Sequence, residues 1–133
     1  MPKFKKVSHI SFSSTDRDAT ADFWRRVFGF EDLDQVEGEG WKATLLIHPA
    51  SATIIEFQQH EANQGERFDP RRTGFDHIGL MVSSREELDD WQDHFEKMGV
   101  DYTPVADREY GGVLPFRDPD GIQFEMFYRP DHP

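Results

Sequence analysis

Short runs of alternating apolar and polar residues make up most of this chain, and two helical stripes interrupt them. In residues 7–13, Ile10 and Phe12 fall on one face of an extended segment, with His9, Ser11 and Ser13 on the other. That two-residue period predicts a half-buried strand. The period then changes. Phe23/Val27 and Trp24/Phe28 are i,i+4 pairs on one stripe of a helix over 17–28, with Asp16 at its start and Gly29 suited to close it. Strands are predicted next over 30–36, 41–48 and 53–58. Glu37-Gly-Glu-Gly40 makes the first turn and His48-Pro-Ala-Ser51 the second. In the last of these strands Ile55 and Phe57 share one face, and Ile54, Glu56 and Gln58 the other.

Residues 59–74 lose the periodicity and read as a linker between two halves. The second half repeats the plan. A strand spans 75–83, with Ile78, Leu80 and Val82 toward a helix. Ser84 and Glu87 have capping-box spacing. Leu88, Trp91, Phe95 and Met98 form the helical stripe, which Gly99 closes. Strands are predicted near 101–105, 111–117 and 121–128, and Asp118-Pro-Asp-Gly121 is a turn in which Pro presets φ and Gly accepts a positive one. The order is β-α-β-β-β, twice: module one 5–58, linker 59–74, module two 75–130. Two such modules predict a single α+β domain, residues 1–133, in which two curved mixed sheets enclose a cleft lined by the faces turned from the helices.

Composition narrows the functional classes. The 133 residues are 36% hydrophobic and 14% aromatic, enough for a core. A net charge of −11 argues against nucleic acid and anionic membranes, which need basic patches. It suits a cationic ligand or a metal ion. The absence of cysteine excludes disulfides and thiolate sites. No apolar run approaches the ~20 residues of a membrane span, and none follows the basic start, so the expectation is a soluble, cytoplasmic protein.

The repeat also selects candidate chemistry. His9 and His77 open equivalent strands, 68 positions apart; Glu56 and Glu125 lie in the last strand of each half, 69 apart. All four sit on the face assigned away from the helices. Two imidazoles and two carboxylates form a ligand set for one divalent transition metal, and open positions would take water or substrate. Singly, each has a plainer reading as a hydrogen-bonded strand residue or a solvated charge; the repeat favours the set. Trp41 and Phe127 are aromatic candidates for a ligand surface. Tyr110, before Gly111-Gly112, suits a loop over the cleft, although a packed aromatic is the plainer reading.

Those residues resemble the vicinal-oxygen-chelate superfamily, which includes glyoxalase I, bleomycin-resistance proteins, fosfomycin-resistance enzymes and extradiol dioxygenases. The resemblance rests on Val7-Ser-His9, on Phe23-Trp24 through Phe28-Gly29-Phe30, on Asp76-His77-Ile78-Gly79, and on Phe116-Arg-Asp-Pro-Asp-Gly121 followed by Glu125. It implies paired βαβββ modules and a divalent ion (Ni, Zn, Mn or Fe) at His9, Glu56, His77 and Glu125, as in glyoxalase I. The dioxygenases and fosfomycin-resistance enzymes use two His and one Glu, matching His9, His77 and Glu125. One departure stands out: bacterial glyoxalase I carries an Arg four residues after its first His, where this chain has Ser13, which argues against lactoylglutathione as substrate.

The expected function is a metal-dependent, glyoxalase-like lyase or isomerase on a small substrate with neighbouring oxygens. Glu125 or Glu56 would move the proton. The alternatives are a drug-binding resistance protein without chemistry, favoured by the acidic, aromatic composition, and an extradiol-type ring-cleaving dioxygenase. Free sheet edges and the resemblance both predict a homodimer.

Overall fold

The computed structural model describes residues 1–133. Its contacts divide the chain into two compact units, Met1–Glu66 and Arg67–Pro133, each a small α+β assembly.

In the first unit, β1 (Ile10–Ser13) leads into α1 (Arg17–Phe28), followed by β2 (Glu31–Gly38), β3 (Trp41–His48) and β4 (Thr53–His60). The sheet order is β1-β4-β3-β2, with β1 parallel to β4 and the other pairs antiparallel. The Asp16 carboxylate caps α1 by accepting from the backbone N–H of Asp18 and Ala19, groups that would otherwise have no partner in the first turn. Gly29, at φ 71°, ends it in the left-handed conformation that glycine adopts without strain. The stripe read from the sequence is the buried one: Phe23, Trp24, Val27 and Phe28 pack toward Phe12, Leu46, Ile55 and Phe57. Trp24 is its centre, stacked on Phe28 at 4.6 Å between ring centroids and edge-on to Phe30 at 5.3 Å.

The second unit runs β5 (His77–Met81), α2 (Arg85–Met98), β6 (Asp101–Tyr102), β7 (Ala106–Arg108), β8 (Gly111–Arg117) and β9 (Gln123–Tyr128). Its sheet order is β5-β9-β8-β6, with β7 also paired to β8. Ser84 caps α2 through the N–H of Glu87, while the Glu87 carboxylate reaches back to the N–H of Ser83. Leu88, Phe95, Phe116 and Phe124 form the core, with Phe95 against Phe116 at 4.9 Å and Phe116 against Phe124 at 5.3 Å.

Several elements differ from the periodicity reading. The first strand begins at Ile10, so His9 lies just before it, and the fifth is shorter than 75–83. The strand predicted near 101–105 shortens to β6, because the backbone leaves β8 after Thr103, and a strand that was not predicted, β7, pairs with β8 from Ala106 onward. The predicted linker also divides. Its start extends β4 to His60, while Phe68 donates to the carbonyl of Asp120 and packs on Phe75 in the second unit.

The Asp118–Gly121 turn is built as its sequence demands. Asp118 Oδ1 accepts from the N–H of Asp120 and of Ile122, both at 2.9 Å, and Gly121 takes φ 78°. The Arg67 guanidinium lies so close over Gly121 that a Cβ there would sit 2.9 Å from it. Burial raises the Asp118 carboxyl to a pKa of about 7; the N–H of Ile122 opposes the shift and the Asp120 charge adds to it.

Candidate functional site

Parallel pairing sets the site geometry in both units. In β1 and β4, Ser11 lies opposite Glu56; in β5 and β9, Gly79 lies opposite Glu125. Each histidine is two residues before that small residue. The period of two therefore puts His, small residue and Glu on one face of each sheet. Small residues matter here: a Cβ at Gly79 would already stand 3.6 Å from Glu125 Oε1.

The imidazoles meet these carboxylates by the same nitrogen. His9 Nε2 is 4.0 Å from Glu56 Oε2, and His77 Nε2 is 3.8 Å from Glu125 Oε1. The other ring nitrogen is engaged by the preceding residue. Ser8 Oγ is 3.2 Å from His9 Nδ1, and Asp76 Oδ1 is 2.5 Å from His77 Nδ1. With Nδ1–H of His77 donated to Asp76, Nε2 is the nitrogen left with a lone pair. This is the arrangement that orients metal-ligating histidines. Distances of about 4 Å are too long for hydrogen bonds, and they leave a gap between nitrogen and oxygen.

The carboxylates have no other hydrogen-bonding or ionic partner. Yet the Glu56 side chain is only 12% exposed and the Glu125 side chain 23%, against 50% and 47% for His9 and His77. A part-buried carboxylate facing an imidazole across such a gap suits a cation. Each unit places one imidazole beside one carboxylate, and neither unit gathers three such side chains around one point. Ser8 and Asp76 went unassigned in the sequence reading, although the Ser-His and Asp-His dipeptides were legible.

Residues 6–126 match the model of the Glyoxalase/Bleomycin resistance protein/Dioxygenase superfamily. The chain belongs to this superfamily. One relative is the putative ring-cleaving dioxygenase MhqA of Bacillus subtilis (strain 168), 25% identical over 125 residues. The alignment takes in 92% of this chain but 39% of that protein, so the chain spans about two fifths of its relative's length. A glyoxylase/bleomycin resistance protein/dioxygenase domain from Frankia sp. EAN1pec superposes with a TM-score of 0.86 at 26% identity, covering 94% of this chain and 98% of that one. The fosfomycin resistance protein FosX from Listeria monocytogenes, complexed with Mn(II) and sulfate, shares the fold, with a TM-score of 0.72 at 20% identity and coverage of 97% and 96%.

The aromatic candidates of this superfamily member are placed separately. Tyr110 stacks on Phe127 with centroids 6.5 Å apart, at the β8–β9 end of the second unit. Tyr110 also lines a cavity of about 370 Å³ with Arg85, Arg108, Tyr128 and Arg129, and none of the four His and Glu candidates borders it. Trp41 lies in the first unit, its indole over Gly38, where a Cβ would stand 2.5 Å from Nε1. Two other histidines serve local structure. His48 Nδ1 is 2.8 Å from Ser51 Oγ in the β3–β4 turn, and His94 packs edge-on against Trp91. No helix is long and apolar enough to cross a membrane.

Proposed function

We propose that this protein is a metal-dependent enzyme of the vicinal-oxygen-chelate type, a lyase or isomerase acting on a small substrate with two neighbouring oxygens. The observation that carries the reading is the repeated His–Glu pair. In both units a histidine Nε2 faces a part-buried carboxylate, with Nδ1 engaged by the preceding side chain. His9, Glu56, His77 and Glu125 would be the residues that hold the ion. A divalent ion bound there would supply Lewis acidity toward two oxygens on adjacent carbons and acidify the C–H of the hydroxyl-bearing carbon next to the carbonyl.

The remaining work falls to the chain's own groups. The two carboxylates differ in freedom: the Glu125 side chain is 23% exposed beside Gly79, and the Glu56 side chain 12% exposed. Glu125 is accordingly the proton carrier, taking a proton from one carbon and returning it to the next. Glu56 is the steadier ligand. Ser8 and Asp76 fix the ring orientations.

A second reading, extradiol-type ring cleavage of a catechol, is favoured by the similarity to the putative ring-cleaving dioxygenase MhqA. In that reading His9, His77 and Glu125 would form a two-His-one-carboxylate set, Glu56 would orient His9, and the Tyr110–Phe127 stack would offer an aromatic surface.

The experiment is calorimetric titration of tag-free protein with Mn²⁺, Ni²⁺, Zn²⁺ and Fe²⁺, followed by assays with hemithioacetals, catechols and aromatic antibiotics. Turnover of a hemithioacetal without oxygen consumption supports the lyase. Oxygen uptake with a catechol transfers the assignment to ring cleavage. Tight antibiotic binding without metal or turnover would replace both readings with sequestration.

A further inference from the structure

The first unit has one long strand with a free side. β2 lies at the edge of the order β1-β4-β3-β2, and all eight of its residues are exposed. Leu33 and Val36 are among the exposed apolar residues, at 46% and 37%. The strand and its turn carry Glu31, Asp32, Asp34, Glu37 and Glu39 without a single Lys or Arg. Asp32 is engaged by Arg25 of α1, and Asp34 only by the N–H of Gln35. An edge so charged repels a copy of itself, and the bulge at Leu33 interrupts it further. From Asp34 to Gly38 the pairing with β3 is regular, which leaves a five-residue template open on its outer side.

The complementary segment is in the same chain. Residues 1–9 are exposed throughout and contain Lys3, Lys5 and Lys6 with no Asp or Glu. Phe4 is 88% exposed and Val7 69%. Residues 3–7 cannot pair along β2 of their own chain. Crossing from β1 to a position outside β2 takes four strand spacings of about 4.8 Å, roughly 19 Å. At about 3.4 Å per residue that distance consumes the tail back to Phe4.

We propose that residues 3–7 of one copy pair as an added strand with β2 of a second copy. An antiparallel register with Phe4 opposite Val36 places Lys3 opposite Glu37, Lys5 opposite Gln35 and Lys6 opposite Asp34. Each basic residue then meets an acidic or neutral one, and the two apolar side chains face each other. Pro2, which has no N–H, falls at the end of the added strand, where none is needed.

The test exploits the absence of cysteine. A Phe4→Cys chain is mixed with a Val36→Cys chain, oxidised gently and run without reductant. The register predicts a cross-linked dimer at a yield about fivefold above that of either variant alone and of Phe4→Cys mixed with Glu31→Cys. Adding Lys3→Glu and Lys6→Glu to the Phe4→Cys chain should remove the product. Adding Asp34→Lys and Glu37→Lys to the Val36→Cys chain should restore it. A yield equal to the controls, or no restoration by the charge swap, overturns the proposal. Hydrogen exchange of the unmodified chain is an independent reading. Protection of amides 34–38 should rise with protein concentration and lose that dependence when residues 1–6 are removed; protection independent of concentration also overturns it.

Discussion

Asp76 holds the His77 ring by Nδ1 at 2.5 Å, so Nε2 is the nitrogen presented toward Glu125. The carboxylate fixes both tautomer and ring angle. Replacing Asp76 with Ala should therefore weaken Mn²⁺ binding by about 10–100-fold without unfolding the chain, because Asp76 is exposed. Ser8→Ala should cost less, since the hydroxyl contact with His9 is longer and uncharged. Calorimetric titration checks both, and equal losses would contradict the assigned difference.

The proton-carrying role proposed for Glu125 can be separated by substitution from its proposed role as a ligand. Glu125→Gln keeps an oxygen that can coordinate but removes the group that takes the proton. Turnover should fall by about 10²–10⁴-fold while measurable metal affinity remains. Glu56→Gln should be milder in turnover. A sequestering protein would bind its ligand nearly unchanged in both variants and lose affinity instead in Phe127→Ala or Trp41→Ala, where aromatic surface is removed.

Asp118 gives the fold a pH dependence of its own. Its folded pKa of about 7 lies above the ordinary 3.8, so the folded state binds this proton more tightly than the unfolded one. The associated stability is complete at low pH and is lost as pH rises toward 7. In Asp118→Asn the amide oxygen still accepts from Asp120 and Ile122, and nothing ionises. Between pH 5 and pH 8 the stability of the variant relative to wild type should therefore rise by on the order of 1–3 kcal/mol. Denaturant midpoints at the two pH values measure this, and parallel pH profiles for the two proteins would refute it.

Trp24 is the test of the first core. It is 1% exposed and touches Phe23, Phe28, Phe30 and Phe57 by ring contacts. Trp24→Ala should destabilise by about 3–5 kcal/mol through lost transfer energy and the cavity left behind. A loss under about 1 kcal/mol would mean that the neighbouring rings collapse into the space.

The sequence by itself determined the elements whose physics is local. α1 and the strands 41–48 and 111–117 have the predicted bounds, because apolar period and glycine stops act over a few residues. The β-α-β-β-β order of the first unit and the shared face of each His–Glu pair were legible for the same reason: strand parity carries a side chain's face along the backbone, whereas β7 of the second unit was not read. Long-range contacts decided the rest. The 101–105 segment kept only β6 because its backbone follows β8 just at its start, and β7 arose beyond it, where the chain meets β8 again at Ala106. The linker divided because the Phe68 N–H finds the carbonyl of Asp120, far along the chain. The parallel registers that set Ser11 against Glu56 and Gly79 against Glu125 are likewise products of tertiary pairing. So are the approach of each Nε2 to its carboxylate and the burial that lifts Asp118. Periodicity records which way a side chain faces, but the partner across the sheet and the solvent excluded around it exist only once the chain has folded.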